Sequence, residues 1–296
     1  MDLKFGIIFL FQIVIGTMGN FSLLYNYMFL HFSGYRPRPT DLFLRHLIVA
    51  NSLVILSRGM PETMEVFGKE HFLDDLGCKF VFYLHRVGRG VSIDTTCLLS
   101  VFQAITLSPG NSIWAHLKMK ALKYKGPSII LCWVLHLLLT IRLPVLITDK
   151  RNKKNFSKTI DFQHCSVMLP ENNTGTVFAA MTLSHDILCL NLMIWASGSM
   201  VLILYRHKQR VQHIHRQSSS RSSPETRASQ NILALVSAFV FFYTLSSTLH
   251  ACFTLVDKRA LWLISSTPII SAGFPTISPF ILMSHECSVS RLFRKK

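Results

Sequence analysis

Ionisable side chains embedded in long apolar runs are the chemically telling feature of this 296-residue chain. One run carries His85, Arg86, Arg89 and Asp94, and a second carries His185 and Asp186. A third offers the hydroxyl and imidazole groups of Tyr243, Thr244, Ser247 and His250 among Phe239, Phe241 and Phe242. A charge at membrane depth is costly unless it faces a protein interior or a water-filled cavity, so such residues mark a binding site by default. On a helix, Arg86 and Arg89 are three apart and His85 and Arg89 four apart, which places them on neighbouring faces. His185 and Asp186 face inward if Ile187, Leu188 and Leu190 face lipid. Arginine's rigid donor fork suits carboxylate, sulfate or phosphate oxygens. Together these groups describe a largely apolar cavity for a small ligand with an anionic or strongly accepting end. The competing structural role is pairing of Arg86 or Arg89 with Asp94 or Asp186 merely to hold helices together. No HExxH, GxSxG or P-loop string occurs, so neither catalysis nor a cofactor is expected. The cysteines show no metal-ligand spacing, so no metal site is expected.

The elements that position these groups follow from composition. Half of the chain is apolar and only 16% is charged, against about 25% charged in an average soluble domain. Apolar blocks at 5–30, 42–60, 80–107, 129–147, 177–205, 232–256 and 261–283 are each near the length of about 20 residues that spans a bilayer as a helix. In hydrocarbon every backbone polar group must be satisfied within its own segment or in a closed barrel, and these blocks are too long and too uniformly apolar for barrel strands. The expectation is an all-α membrane protein, a single seven-helix bundle over 1–296. Its first span is uncleaved, because the run is far longer than a signal-peptide core. Val289, Leu292 and Phe293, with Arg291, Arg294 and Lys295 opposite, predict a short interfacial helix over the tail 285–296.

A formal net charge of +16 raises the question of nucleic acid, but the basic residues lie between the apolar blocks and point instead to membrane lipid headgroups. Placing the amino terminus outside puts the clusters around Arg36, Lys118 to Lys125, Arg206 to Arg227 and Arg291 to Lys296 on the inner side, as the positive-inside rule requires. The basic stretch 150–158 runs against that rule, yet the glycosylation sequons at Asn155 and Asn172 place the same loop outside. A third sequon, at Asn20, falls inside the first span and is expected to be silent. Cys78 and Cys165 both fall on the outer, oxidising side, although spacing alone does not fix a pairing. Cys97, Cys132, Cys189 and Cys252 lie mid-span and read as small buried hydrophobes. Cys287, just past the last span, is a candidate for palmitoylation.

Four strings carry a resemblance: Asp-Thr-Thr-Cys-Leu-Leu-Ser at 94–100, Ile-Thr-Leu-Ser-Pro at 105–109, Ser-Ser-Pro-Glu-Thr-Arg-Ala at 222–228 and Phe-Pro-Thr-Ile-Ser-Pro-Phe at 274–280. With Gly19 and Asn20, Trp133 and the two outer cysteines, the chain resembles the G-protein-coupled receptors, and more finely the vomeronasal type-1 pheromone receptors. The resemblance implies a Cys78–Cys165 disulfide and a small odorant-like or steroid pheromone ligand. It also implies signalling at the plasma membrane through an inhibitory heterotrimeric G protein, docked on the inner basic segment with Arg206, Lys208 and Arg210 as candidate contacts. Where rhodopsin-like receptors carry Asp-Arg-Tyr, this chain has Phe102, Gln103 and Ala104. Asn51 replaces the helix-two aspartate, and Ser278, Pro279 and Leu282 stand in the Asn-Pro-x-x-Tyr region. A bitter-taste-type receptor is the close alternative. A transporter is the rival from another class, disfavoured by the odd span count and the lack of an internal repeat.

Overall fold

Seven helices carry the apolar runs: α1 (Leu3–Phe32), α2 (Asp41–Val66), α3 (Asp75–Leu107), α4 (Ser112–Leu139), α5 (Asn173–Ile214), α6 (Pro224–Leu255) and α7 (Gly273–Phe293). The structure, a computed structural model, describes residues 3–34, 37–66, 73–108, 112–141, 147–149, 159–162, 165–168, 173–214, 224–255 and 269–293, with side chains over a narrower set. Helices α1 to α6 each contain an apolar stretch long enough to cross a membrane, and α7 with the turn before it is apolar over a shorter stretch, Ile269–Ser284. The remainder of the seventh predicted span, 261–268, lies outside the described residues, as do Asn155 and Asn172.

The fourth span differs from its prediction. The hydropathy block covers 129–147, but α4 starts at Ser112, takes in the lysines at 118, 120, 123 and 125, and ends at Leu139. Long basic side chains are good helix formers and reach the headgroups from a helix end, so the hydropathy edge is not the helix edge. At the other end the last turn tightens, with Ile141 N–H donating to Leu138 O, and Thr140 Oγ1 donates to His136 O at 2.6 Å. Pro144, inside the predicted span, cannot donate into a helix. Beyond it the chain forms a small antiparallel sheet of β1 (Ile147–Asp149), β2 (Thr159–Phe162) and β3 (Cys165–Met168), in the order β1-β3-β2. The all-α expectation did not include this sheet. Helix α7 runs into the tail without a break as far as Phe293.

Helix α3 is the axle of the bundle. It packs against α2, α4, α5 and α6 and carries β1 near its outer end, and 67% of its apolar stretch is buried, against 17% for α4. Its start is fixed by Asp74, whose carboxylate accepts from Gly77 N–H at 2.7 Å, a standard N-cap. The core is drawn from all sides of it: Leu23, Leu47, Ile93, Leu99, Met193 and Leu235 are fully buried. Outward-facing Ile130, Leu131, Ile187, Leu188 and Trp195 are exposed, a surface that suits lipid and that soluble proteins avoid.

Buried amides and hydroxyls stitch the helices together. Asn20 Nδ2 donates to Gly16 O (2.7 Å) and across to Pro275 O on α7 (2.9 Å), so the sequon at Asn20 is occupied by packing. Gly19 allows this approach, since a Cβ there would meet the Pro279 ring at 3.1 Å. Asn51 Nδ2 donates to Ser278 Oγ and Ser92 Oγ donates to Asn51 Oδ1, both at 2.9 Å, joining α2, α3 and α7. Nearer the inner end, Gln103 Nε2 donates to Ser229 Oγ at 2.9 Å and ties α3 to α6.

Candidate functional site

The outer half of the bundle holds a cavity of about 240 Å³ between α3, α4, α5 and α6. Its walls are Ile93, Leu135, Leu139 and Met181, and its polar groups are Arg86, Arg89, His136, His185, Asp186 and Tyr243. A smaller cavity of about 40 Å³ adjoins it, lined by His85, Arg89, Tyr243 and Ser246 among Phe239, Phe242 and Phe274. Arg89 and Tyr243 face both cavities and divide them.

The polar groups form one continuous network. The Arg89 guanidinium lies over the Tyr243 ring, 4.8 Å from its centroid, an attraction that strengthens as the pair is desolvated. Tyr243 OH donates to Asp186 Oδ2. Asp186 Oδ1 stands 3.6 Å from His185 Nδ1, and His185 Nε2 reaches Asp94 Oδ1 at 3.2 Å. The second Asp94 oxygen, Oδ2, meets His136 Nε2 at 3.0 Å. The Asp94 carboxylate is buried and its two imidazole partners come from α4 and α5, so α3, α4 and α5 are joined at one point. The His136 ring enters there because position 90 is glycine: a Cβ on residue 90 would fall inside that ring.

The structure brings six of the predicted site residues to these cavities and redistributes the rest. Arg86, Arg89, His185, Asp186 and Tyr243 line the larger cavity, whereas His85 lines only the smaller one. Thr244 is displaced from the site: it is exposed, and its hydroxyl donates to Val240 O and Phe241 O of its own helix. Ser246 lines the smaller cavity in place of Ser247, because Phe239, Phe242, Tyr243 and Ser246 share one helical face and the neighbouring positions turn about 100° away. The side chain of His250 lies outside the described residues. The structural alternative also changes partners, since among the described residues Asp94 pairs with His136 and His185 and with no arginine.

Asp94, His136, Cys189, Gly90 and Ser246 were not assigned to the site from sequence. The available signal was His136, the lone ionisable residue between 129 and 139, which carries the same burial cost that singles out the arginines. Asp94, His136 and His185 also gather ligand-type atoms within 4.8 Å of one another.

At the inner end, α5 continues as a helix through Arg206, Lys208 and Arg210 to Ile214. Arg206 is exposed, and the side chains of Lys208 and Arg210 lie outside the described residues. Cys78 is disulfide-bonded, while Cys97, Cys132 and Cys189 are free. The side chains of Cys165 and Cys287 are not among those described.

Seven packed helices with a polar cavity opening at one end and a long basic helix leaving the other are the architecture of a membrane receptor. Squid rhodopsin shares this fold, with a TM-score of 0.71 over 98% of this chain and 80% of that chain, at 14% sequence identity. Over residues 3–295 the chain matches the vomeronasal organ pheromone receptor family, and it belongs to that family. Human vomeronasal type-1 receptor 2 is 56% identical over 284 residues, covering 96% of this chain and 72% of that protein. Human vomeronasal type-1 receptor 3 is 48% identical over 293 residues, covering 98% and 94% respectively. A zebrafish (Danio rerio) olfactory receptor class A-like protein 1 is 29% identical over 280 residues, covering 94% and 88%. The chain is therefore a multi-pass G-protein-coupled receptor of the plasma membrane and not an enzyme, and the vomeronasal reading displaces the bitter-taste and transporter alternatives.

Proposed function

We propose that this receptor responds to a small pheromone-like ligand, largely apolar with an anionic or strongly accepting end, held in the outer cavity. The observation that carries the reading is the pair of guanidinium groups, Arg86 and Arg89, set in walls of Ile93, Leu135, Leu139 and Met181. Each side chain can donate to an acidic ligand group, and a charge-assisted bond in such a site contributes about 1.5 to 3 kcal/mol, or roughly ten- to a hundred-fold in affinity. Steroid-like or small aromatic acids match this chemistry. The test compares acidic ligands with their neutral isosteres on cells expressing the receptor. Arg89→Gln is expected to erase the preference for the acid while surface expression persists. Equal responses of the unaltered receptor to both members of a pair sink the reading.

On the inner side we assign contact with an inhibitory-class G protein to the basic extension of α5. At 1.5 Å per residue its 42 residues span about 63 Å, about twice the hydrocarbon thickness, so the helix carries Arg206, Lys208 and Arg210 towards the cytosol if the amino terminus is outside. Neutralising all three is expected to abolish G-protein activation and leave ligand binding intact; undiminished signalling removes that segment from the mechanism. On the outer side we assign the partner of Cys78 to Cys165. Three cysteines are free, and β3, which starts at Cys165, pairs with β1 against α3. Glycans at Asn155 and Asn172, and palmitate at Cys287, complete the proposed arrangement.

A further inference from the structure

The floor of the cavity collects more metal-binding chemistry than a ligand pocket needs. Asp94 offers two carboxylate oxygens, with His185 Nε2 at 3.2 Å from one and His136 Nε2 at 3.0 Å from the other. The Cys189 thiol, one turn along α5 from His185, lies 3.6 Å from Asp94 Oδ1 and 3.9 Å from His185 Nε2. We propose that Asp94, His136 and His185 form a site for a zinc-class divalent cation, with its fourth position open to the cavity, bridging α3, α4 and α5 beneath the ligand cavity.

Three observations support this over a plain hydrogen-bond hub. The first is geometric. With metal–nitrogen and metal–oxygen bonds of about 2.0 to 2.1 Å, the edges of a tetrahedron are about 3.3 Å, close to the 3.2 Å from His185 Nε2 to Asp94 Oδ1 and the 3.0 Å from His136 Nε2 to Asp94 Oδ2; one ligand atom from each of Asp94, His136 and His185 lies within 4.8 Å of the others. The second is the donor type. Two imidazoles and one carboxylate favour zinc, cobalt or copper, whereas magnesium and calcium take oxygen ligands. The third is the outer shell. Asp186 Oδ1 stands 3.6 Å from the other nitrogen of His185, Nδ1, in ion-pair range but beyond a hydrogen bond, a carboxylate placed to raise the basicity of that ligand. His136 and His185 both line the larger cavity, which gives the cation a way in. On binding, each neutral imidazole gives up its Nε2 proton to solvent and takes one up at Nδ1, so that both coordinate through Nε2 with no net proton released, and the Asp94 carboxylate turns from accepting those protons to coordinating the cation. No electron is transferred.

The test uses the full-length receptor in lipid nanodiscs without any organic ligand, with cobalt(II) as the spectroscopic probe and zinc(II) as its competitor. The unaltered receptor is expected to take up one cobalt, show the visible absorption of four-coordinate cobalt, and lose it on adding zinc. His185→Gln is expected to weaken cobalt binding more than tenfold, and Asp186→Asn, acting through His185, about ten- to a hundred-fold. Uptake of less than half an equivalent by the unaltered receptor, or a purely octahedral spectrum, overturns the site with no variant needed. So does undiminished binding in a well-folded His185→Gln protein. Such failure leaves the ligand reading standing, because that reading is scored on acid preference at Arg89.

Discussion

The two ends of this bundle hold their helices together with different chemistry. At the outer end the ties are ionisable: Arg89 over Tyr243, Tyr243 to Asp186, and Asp94 between His136 and His185. Towards the inner end the ties among α2, α3, α6 and α7 are neutral: Asn51 to Ser278, Ser92 to Asn51, and Gln103 to Ser229. Charge is placed where an incoming ligand must be distinguished, and there it is costly to leave unpaired. Neutral bonds between membrane helices contribute only about 0.6 kcal/mol on average, so helices tied by them part readily. In rhodopsin-like receptors an arginine stands at the inner end of helix three; here the position falls to Gln103, whose amide–hydroxyl contact with Ser229 is one that α6 must break to move away from α3 at that end.

This contrast can be broken at several points. The largest effect is expected from Gly90→Leu, since any side chain at 90 occupies the His136 ring position and leaves Asp94 buried without that partner. Losing one partner of a buried charge costs about 3 to 5 kcal/mol, and flow cytometry of a tagged receptor should find almost none at the cell surface. Near-normal surface levels would mean that the outer network is dispensable for folding. A smaller effect, and of opposite kind, is expected from Gln103→Ala. Removing a contact of about 0.6 kcal/mol shifts an inactive–active equilibrium about threefold, so basal G-protein signalling should rise by that factor at unchanged surface expression. Unchanged basal activity would show that the Gln103–Ser229 contact is not a latch. The smallest effect sharpens the boundary of the site: Thr244→Val alters a hydroxyl that bonds only its own helix and faces outward, so ligand concentration–response curves should be unmoved, whereas Ser246→Val, inside the smaller cavity, should displace them.

The class of fold was legible in the sequence because hydrophobic length is a local property. Blocks long enough to cross a bilayer, and basic residues gathered between them, require no knowledge of neighbouring helices. The ionisable residues of the site were legible for the same reason, as costly exceptions within those blocks; Arg86, Arg89, His185, Asp186 and Tyr243 all reach the cavity. The ends of helices were less legible. At α4 the basic residues of the first turns and the tightened turn at His136 decided the boundary, and neither changes hydropathy in a way a block reading detects. Which hydroxyl of α6 faces inward was decided by the rotation of that helix against α3 and α7, so Ser246 and not Thr244 or Ser247 lines a cavity. The partners of Asp94 were beyond sequence altogether. His136 and His185 lie 42 and 91 positions further along the chain, and they meet Asp94 only because α3 packs against both α4 and α5 and because Gly90 leaves room for an imidazole ring between two helices.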